Sequence, residues 1–345
     1  MTDSPAASAT AVLYNGLSTE LLVGYASEET GALHTVQFHE TRADLGEVEV
    51  LLRLEWSRKA PPGASLVLPE AGHPLAALDE YWMMWRDGDG LMVQSARHGE
   101  PLCSTVADDE WLIDRPLVTA NQELHAYAWR EGLLIRHRFA AKQFNEPIAR
   151  VDTILDLGAR PARSLCVPLP GDDGGTAVIG CVAESEGGIQ ASMLYVRGAK
   201  TMRLDGQTEG RYRLMGRHRM GLHAGRKARP ALAVLAQLRE DDSYALLEAR
   251  FDFGKKECVW KRTNLEAIAP RGLESAAVYY YKTQDSPEPF IFAVGRDGHL
   301  ISPGRRTVQM VRENVGTGYG YPVLTTQANR YEAVGTGSEI SLRRL

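Results

Sequence analysis

The chain has 345 residues, 44% of them hydrophobic and 24% charged, a composition that excludes a disordered chain, a collagen and a disulfide scaffold. Thirty-nine Lys and Arg against 44 Asp and Glu give a formal charge of -5, so no polyanionic partner is implied for the molecule as a whole. No run of about 18 apolar residues occurs, which speaks against a membrane-spanning protein or a membrane partner.

Residues 1–10 place Asp3 where a secretory signal needs a base, and no apolar stretch follows. They read as a disordered lead-in to a single domain over residues 11–345, located in the cytoplasm. From there the dominant period is two. Val48, Val50, Leu52, Leu54 and Trp56 fall on one face of a strand whose other face is mostly charged.

Hairpins then follow one another, each an apolar strand, a turn signal and a second strand. Leu21 to Ala26 and Leu33 to Phe38 flank the turn at 27–31; Tyr81 to Arg86 and Leu91 to Ser95 flank Asp87-Gly88-Asp89-Gly90. Leu124 to Arg130 and Leu133 to Phe139 flank Glu131-Gly132, and Ala177 to Ala183 turns at 184–188 into Ile189 to Val196. Ala231 to Leu238 turns into Tyr244 to Phe253, Phe290 to Val294 turns at Asp297-Gly298 into Leu300, and Tyr321 to Thr326 turns into Tyr331 to Val334. Ser275 to Tyr281 reads as a further strand, with at least one of Tyr279, Tyr280 and Tyr281 facing outward. Helical patterns are scarce: 74–85 has a short helical look, and 229–239 fits one turn or a strand.

Turn centres spaced by about 40–60 residues are the period of a propeller or another repeat array. The expected architecture is therefore all-β, a single β-propeller-like domain of six or seven blades. A β-sandwich pair or a mixed α+β fold is the alternative. A propeller commonly closes by pairing strands from its two chain ends, so Glu339 to Leu345 is expected to meet Ala11 to Tyr14.

Three of the hairpins, 290–300, 81–91 and 124–133, resemble the sheet repeats of tectonin-type and related lectin β-propellers, in which an apolar strand ends in a polar-Asp-Gly turn and resumes with Leu. The resemblance implies a propeller and, through the lectins, glycan recognition as one possible role.

The most anomalous segment is 211–229, with seven Lys or Arg, two His and no acid inside a net-negative chain. Arg211, Arg213, Arg217, Arg219, Arg226, Lys227 and Arg229 form the candidate partner-binding patch, because guanidinium groups present paired donors to carboxylates and phosphates. Nucleic acid enters only through this segment. Tyr319 and Tyr321, in the glycine-rich run 316–322, are candidate loop contacts. Tyr81, Trp82, Trp85, Trp111 and Trp129 are candidate aromatics for a glycan or a partner, and blade cores want such residues too.

No metal and no cofactor is expected. His218 and His223, like His34 and His39, are five apart, a spacing that brings neither pair to one face, and the four cysteines read as free thiols. No nucleophile elbow, zinc-protease or phosphate-loop signature occurs. The acidic runs Asp108-Asp109-Glu110, Asp172-Asp173 and Asp241-Asp242 read as solvated turns. The expected function is accordingly binding rather than catalysis: a scaffold that presents loops and a basic patch to a protein partner in a larger assembly. The alternatives are a glycan-binding lectin-like propeller and a propeller hydrolase with its active site in the central channel.

Overall fold

The computed structural model describes residues 8–14, 20–26, 32–42, 44–45, 47–59, 65–67, 82–95, 100–113, 116–119, 123–140, 148–169, 172, 175–215, 220–224, 229–240, 242–265, 277–280, 289–293, 299–302, 307–310, 323–325, 330–336 and 339–344. Among them every regular element is a strand, and the strands form seven antiparallel sheets. The first sheet holds β1 (Ser8–Tyr14), β2 (Glu20–Ala26), β3 (Ala32–Arg42) and β4 (Glu47–Lys59). The second holds β5 (Ser65–Val67), β6 (Trp82–Asp87), β7 (Gly90–Ser95) and β8 (Leu102–Thr105). The third holds β9 (Glu110–Leu112), β10 (Leu117–Val118), β11 (Glu123–Arg130), β12 (Leu133–Ala140) and β13 (Ile148–Asp156). The fourth is β14 (Arg163–Pro168), β15 (Ala177–Ser185), β16 (Gly188–Arg197) and β17 (Lys200–Gln207). The fifth is β18 (Tyr212–Leu214), β19 (Gly221–His223), β20 (Ala231–Leu238), β21 (Tyr244–Asp252) and β22 (Glu257–Asn264). The sixth is β23 (Ala277–Tyr280), β24 (Pro289–Ala293), β25 (His299–Ser302) and β26 (Thr307–Met310); the seventh is β27 (Val323–Thr325), β28 (Arg330–Thr336) and β29 (Glu339–Arg344).

Each sheet is a meander, the unit from which β-propellers are built. The seven hairpins expected from the sequence fall one to a sheet, as β2/β3, β6/β7, β11/β12, β15/β16, β20/β21, β24/β25 and β27/β28. Residues 229–239 supply the strand β20, and of the stretch with a helical look Trp82 to Trp85 is extended as part of β6, while Pro74 to Tyr81 lies outside the described residues. Strand β1 starts at Ser8 and so takes in the last three residues of the segment read as a lead-in. The two-residue turns of three hairpins share a backbone solution: the first loop position has positive φ at Gly88 (54°), Glu131 (54°) and Gly198 (60°). Two of the three use glycine, for which that conformation carries no Cβ penalty.

The first edge strands of the third and fifth sheets are broken in two at equivalent places. β9 and β10 lie in line along β11, pairing with its C-terminal and N-terminal ends, and β18 and β19 do the same along β20.

The chain divides into two compact units, 1–154 with 321–345, and 155–320. In the first unit, β1 and β2 lie against β5 and β1 lies against β27. The second and third sheets share a core of Trp82, Leu91, Val93, Val106, Leu124 and Phe139. In the second unit, the fourth and fifth sheets bury Val178, Met193, Leu232, Val234, Leu247 and Phe251, and the fifth and sixth bury Ala233, Leu235, Leu246 and Val278. Burial of each large apolar side chain contributes about 1.5–3 kcal/mol, which is what holds otherwise independent sheets together.

The expected pairing of the chain ends is corrected by the sheet order. β29 pairs with β28 and β1 with β2, so the ends do not share a sheet. β29 sits at the far edge of its sheet from β27, the strand that approaches β1.

Candidate functional site

Of the basic segment, β18 and β19 lie on the edge of the fifth sheet. Alternation along β18 buries Tyr212 and Leu214 in the core shared with the fourth sheet and leaves Arg211 and Arg213 exposed on the other face. The strand is fixed from two sides. Arg213 pairs with Gln237 in β20, and the outward N–H of Leu214 donates to Glu184 Oε1 at 2.7 Å. The other oxygen of Glu184 accepts from Arg239 Nη2 at 3.0 Å, and Arg163 donates to the carbonyl of Met215. Burial lowers the Arg163 pKa against the opposing pull of Glu184. Among the described residues no carboxylate is ion-paired with Arg211 or Arg213. Arg229 is exposed and pairs with Asp252 at 2.8 Å. Arg217, Arg219, Arg226, Lys227, Tyr319 and Tyr321 lie outside the described residues.

The aromatic candidates divide by burial. Trp82 and Trp129 are each 2% exposed and belong to the core, Trp85 is half-buried, and Tyr81 lies outside the described residues. Trp111, opposite Trp129 on β9, is 61% exposed.

Beside Trp111 the acidic run 108–110 departs from the solvated turn expected of it. Asp108 and Asp109 are exposed, but Glu110 is buried, since it points to the opposite face of β9 from Trp111. Its Oε2 accepts from the Ala107 N–H at 3.0 Å and its Oε1 from His137 Nε2 at 2.6 Å, while His137 Nδ1 meets Ser104 Oγ at 2.6 Å. An ionised carboxylate has no proton to give, so Nε2 carries the hydrogen, and in the neutral ring Nδ1 accepts from the serine hydroxyl. The chain from Ser104 through His137 to Glu110 joins β8 of the second sheet to β9 and β12 of the third. Its order is that of a hydrolase triad, but Ser104 is 5% exposed and His137 fully buried, which leaves a substrate no approach to the hydroxyl.

A second buried polar cluster lies between the fifth and sixth sheets. Glu248, 2% exposed on β21, accepts from the Tyr280 hydroxyl at 3.2 Å and sits 3.2 Å from Arg250 Nε. The Tyr280 ring packs tilted against that of His223 at 5.8 Å, and Gly221 lets it approach, because a Cβ there would meet Val278 and the Tyr280 ring at 3.1–3.3 Å. Burial, with the Glu248 charge second, raises the Tyr280 pKa well above its ordinary value. This tyrosine therefore faces inward.

On the third sheet, Glu123 accepts from both Arg138 Nε (2.7 Å) and Nη2 (2.6 Å) and bonds His125 at 3.0 Å. The His125 bond first, then Arg138, holds its carboxyl at about 2. Arg136 and Arg150 flank Asp152, each at 2.8 Å.

Sequence reasoning missed both buried clusters, whose members come from distant strands. No group of three or more His, Cys, Asp or Glu side chains suited to a metal ion occurs among the described residues, and no helix there is long and apolar enough to cross a membrane.

No protein-family model and no curated protein matches the chain. Among solved structures it is similar to the β-propeller domain of Vanderwaltozyma polyspora Nup133, at 8% identity over 93% of this chain and 96% of that one, with a TM-score of 0.47. It is also similar to Kluyveromyces lactis Hsv2, at 8% identity over 99% and 98% of the two chains, with a TM-score of 0.35. The described residues are all-β, and at this identity neither likeness reaches to function.

Proposed function

We propose that the seven meander sheets are the blades of a single β-propeller that acts by binding, presenting the basic edge of its fifth sheet to a protein partner within a larger assembly in the cytoplasm. The observation that carries the reading is the pair Arg211 and Arg213. Both are exposed beside the buried Tyr212 and Leu214 on a strand whose backbone Glu184 ties down, so their Cα atoms stand about 7 Å apart along one edge. Such an arrangement suits carboxylates on a partner, and rigid presentation lowers the entropic cost of association. Arg217, Arg219, Arg226, Lys227, Tyr319 and Tyr321, outside the described residues, are further candidate contacts under this proposal. The test is affinity capture of the tagged protein from its native lysate, with and without nuclease. A stoichiometric protein partner that survives nuclease supports the reading, whereas capture that nuclease abolishes makes the ligand a nucleic acid.

Glycan recognition is a second reading, favoured by the 61% exposure of Trp111, since aromatic side chains stack on sugar rings. A glycan array without hits removes it.

A further inference from the structure

We propose that β22, at the opposite edge of the fifth sheet from Arg211 and Arg213, is a second docking site. It takes an extended acidic segment of a protein partner, which joins the sheet as a further strand.

The backbone of β22 is open on one side. Among the described residues the strand pairs with β21 along its whole length, without a bulge, and with no other strand. One step beyond the pair Ala245 and Asn264, the Leu265 N–H donates to the Tyr244 carbonyl at 2.8 Å. Hydrogen-bonded and non-bonded pairs alternate along an antiparallel ladder, so Glu257, Val259, Lys261 and Thr263 turn their backbone groups to β21. Those of Cys258, Trp260, Arg262 and Asn264 point the other way, and among the described residues no backbone group meets them. A row of unpaired N–H and C=O groups on a regular strand is a template for another strand.

Charge chooses the occupant. Residues 255–264 carry Lys255, Lys256, Lys261 and Arg262, all exposed, against the single acid Glu257. None of the four cations is ion-paired among the described residues. Lys261 stands opposite Glu248, but that carboxylate is buried and pairs with Arg250. Arg262 Nε donates to Asn264 Oδ1 at 2.7 Å, which steadies the guanidinium and leaves both Nη groups to donate to a carboxylate. Val259, between Lys256 and Lys261 in sequence and 55% exposed, offers the same guest an apolar contact. β17, the last strand of the fourth sheet, is different: Arg203 Nε donates to Asp205 Oδ1 at 2.9 Å, so the charge is answered within the strand. A second copy of β22 would set cation against cation, so the same charges that admit an acidic strand keep like edges apart.

The experiment is calorimetric titration of the full chain with a peptide that alternates glutamate and valine. One control peptide has lysine in place of glutamate, and another is N-methylated at every backbone nitrogen, which keeps the charge but removes every donor a strand needs. The parent peptide is expected to bind and the controls not. Amide exchange followed by NMR should then slow at Cys258, Trp260, Arg262 and Asn264, whose N–H groups the ladder with β21 leaves open. Lys261→Glu with Arg262→Glu should weaken binding by about tenfold. Arg211→Glu with Arg213→Glu should leave it unchanged, which separates this edge from the other. Melting temperatures verify that each variant is folded, and Lys261→Gln with Arg262→Gln replaces the reversal if that disturbs the fold. Undiminished binding by the folded Lys261 and Arg262 variant would overturn the proposal, as would absence of binding at millimolar peptide. Equal binding of the N-methylated peptide would make β22 a site for any polyanion, and self-association seen by sedimentation without peptide binding would give it to a second copy; either overturns the proposal.

Discussion

His137 and Glu110 meet at 2.6 Å in an interior where the imidazole is fully buried and the carboxylate side chain 3% exposed. Residues of the second and third sheets are joined there by a closed hydrogen-bond chain as well as by apolar packing, since Ser104 takes the other ring nitrogen and the Ala107 N–H the other carboxylate oxygen.

Removing the middle of that chain takes the His137 partner from one oxygen of a buried carboxylate and from a buried hydroxyl. His137→Leu is expected to cost about 2–4 kcal/mol, and Glu110→Gln, which keeps an acceptor for the ring N–H, about 1 kcal/mol. Urea denaturation of the three proteins measures the difference. Equal midpoints for wild type and His137→Leu would show that the chain contributes nothing to stability.

Stability should fall in acid through Glu123. Its folded pKa of about 2 lies below the ordinary 4.5, so its contribution is fully present above pH 4.5 and is lost as the pH falls towards 2. Because the carboxyl is partly solvated, the effect is screened and should shrink with salt. Glu123→Gln is expected to flatten this part of the stability profile, measured by denaturant titration between pH 5 and pH 2; an unchanged slope would argue against the assignment.

Thiol labelling should separate the cysteines. Cys103 is exposed, Cys258 half-buried, and Cys166 and Cys181 buried, with desolvation pushing the Cys258 thiol up to about 11 and that of Cys181 higher still. An aromatic disulfide reagent at neutral pH is expected to modify Cys103 quickly, Cys258 slowly and the other two only on unfolding. Fast modification of Cys181 in the folded protein would contradict the packing of β15.

Gly206 is where β17 comes against β22, and a Cβ there would run into the Cys258 side chain. Gly206→Ala is therefore expected to destabilise by about 1–3 kcal/mol, read from thermal or urea unfolding, because the obstacle lies close to a strand backbone and cannot swing away.

Much of the fold was legible because a hairpin is written locally: Leu124 to Arg130 and Leu133 to Phe139 alternate, and Glu131-Gly132 turns between them. The broken strands were not, since β9, β10, β18 and β19 have two or three residues each and acquire their direction only by pairing with β11 or β20. The exposed Arg pair was visible in composition, but its footing on Glu184 was not, because that carboxylate arrives from the fourth sheet. Clustering of tryptophans in sequence likewise hid their division: Trp111 and Trp129 are direct partners on one face of the third sheet, yet Trp129 is 2% exposed and Trp111 61%. The run Tyr279 to Tyr281 did not say which ring faces outward; Tyr280 turns in, where Glu248 offers its hydroxyl an acceptor.

The most direct test of the binding account is quantitative capture from native lysate by wild type and by Arg211→Glu with Arg213→Glu, each at low and high salt, with melting temperatures measured in parallel. The account predicts a matched melting temperature and at least a tenfold loss of the nuclease-resistant partner, equivalent to about 1.4 kcal/mol of binding free energy. Undiminished capture by the folded double variant would contradict it.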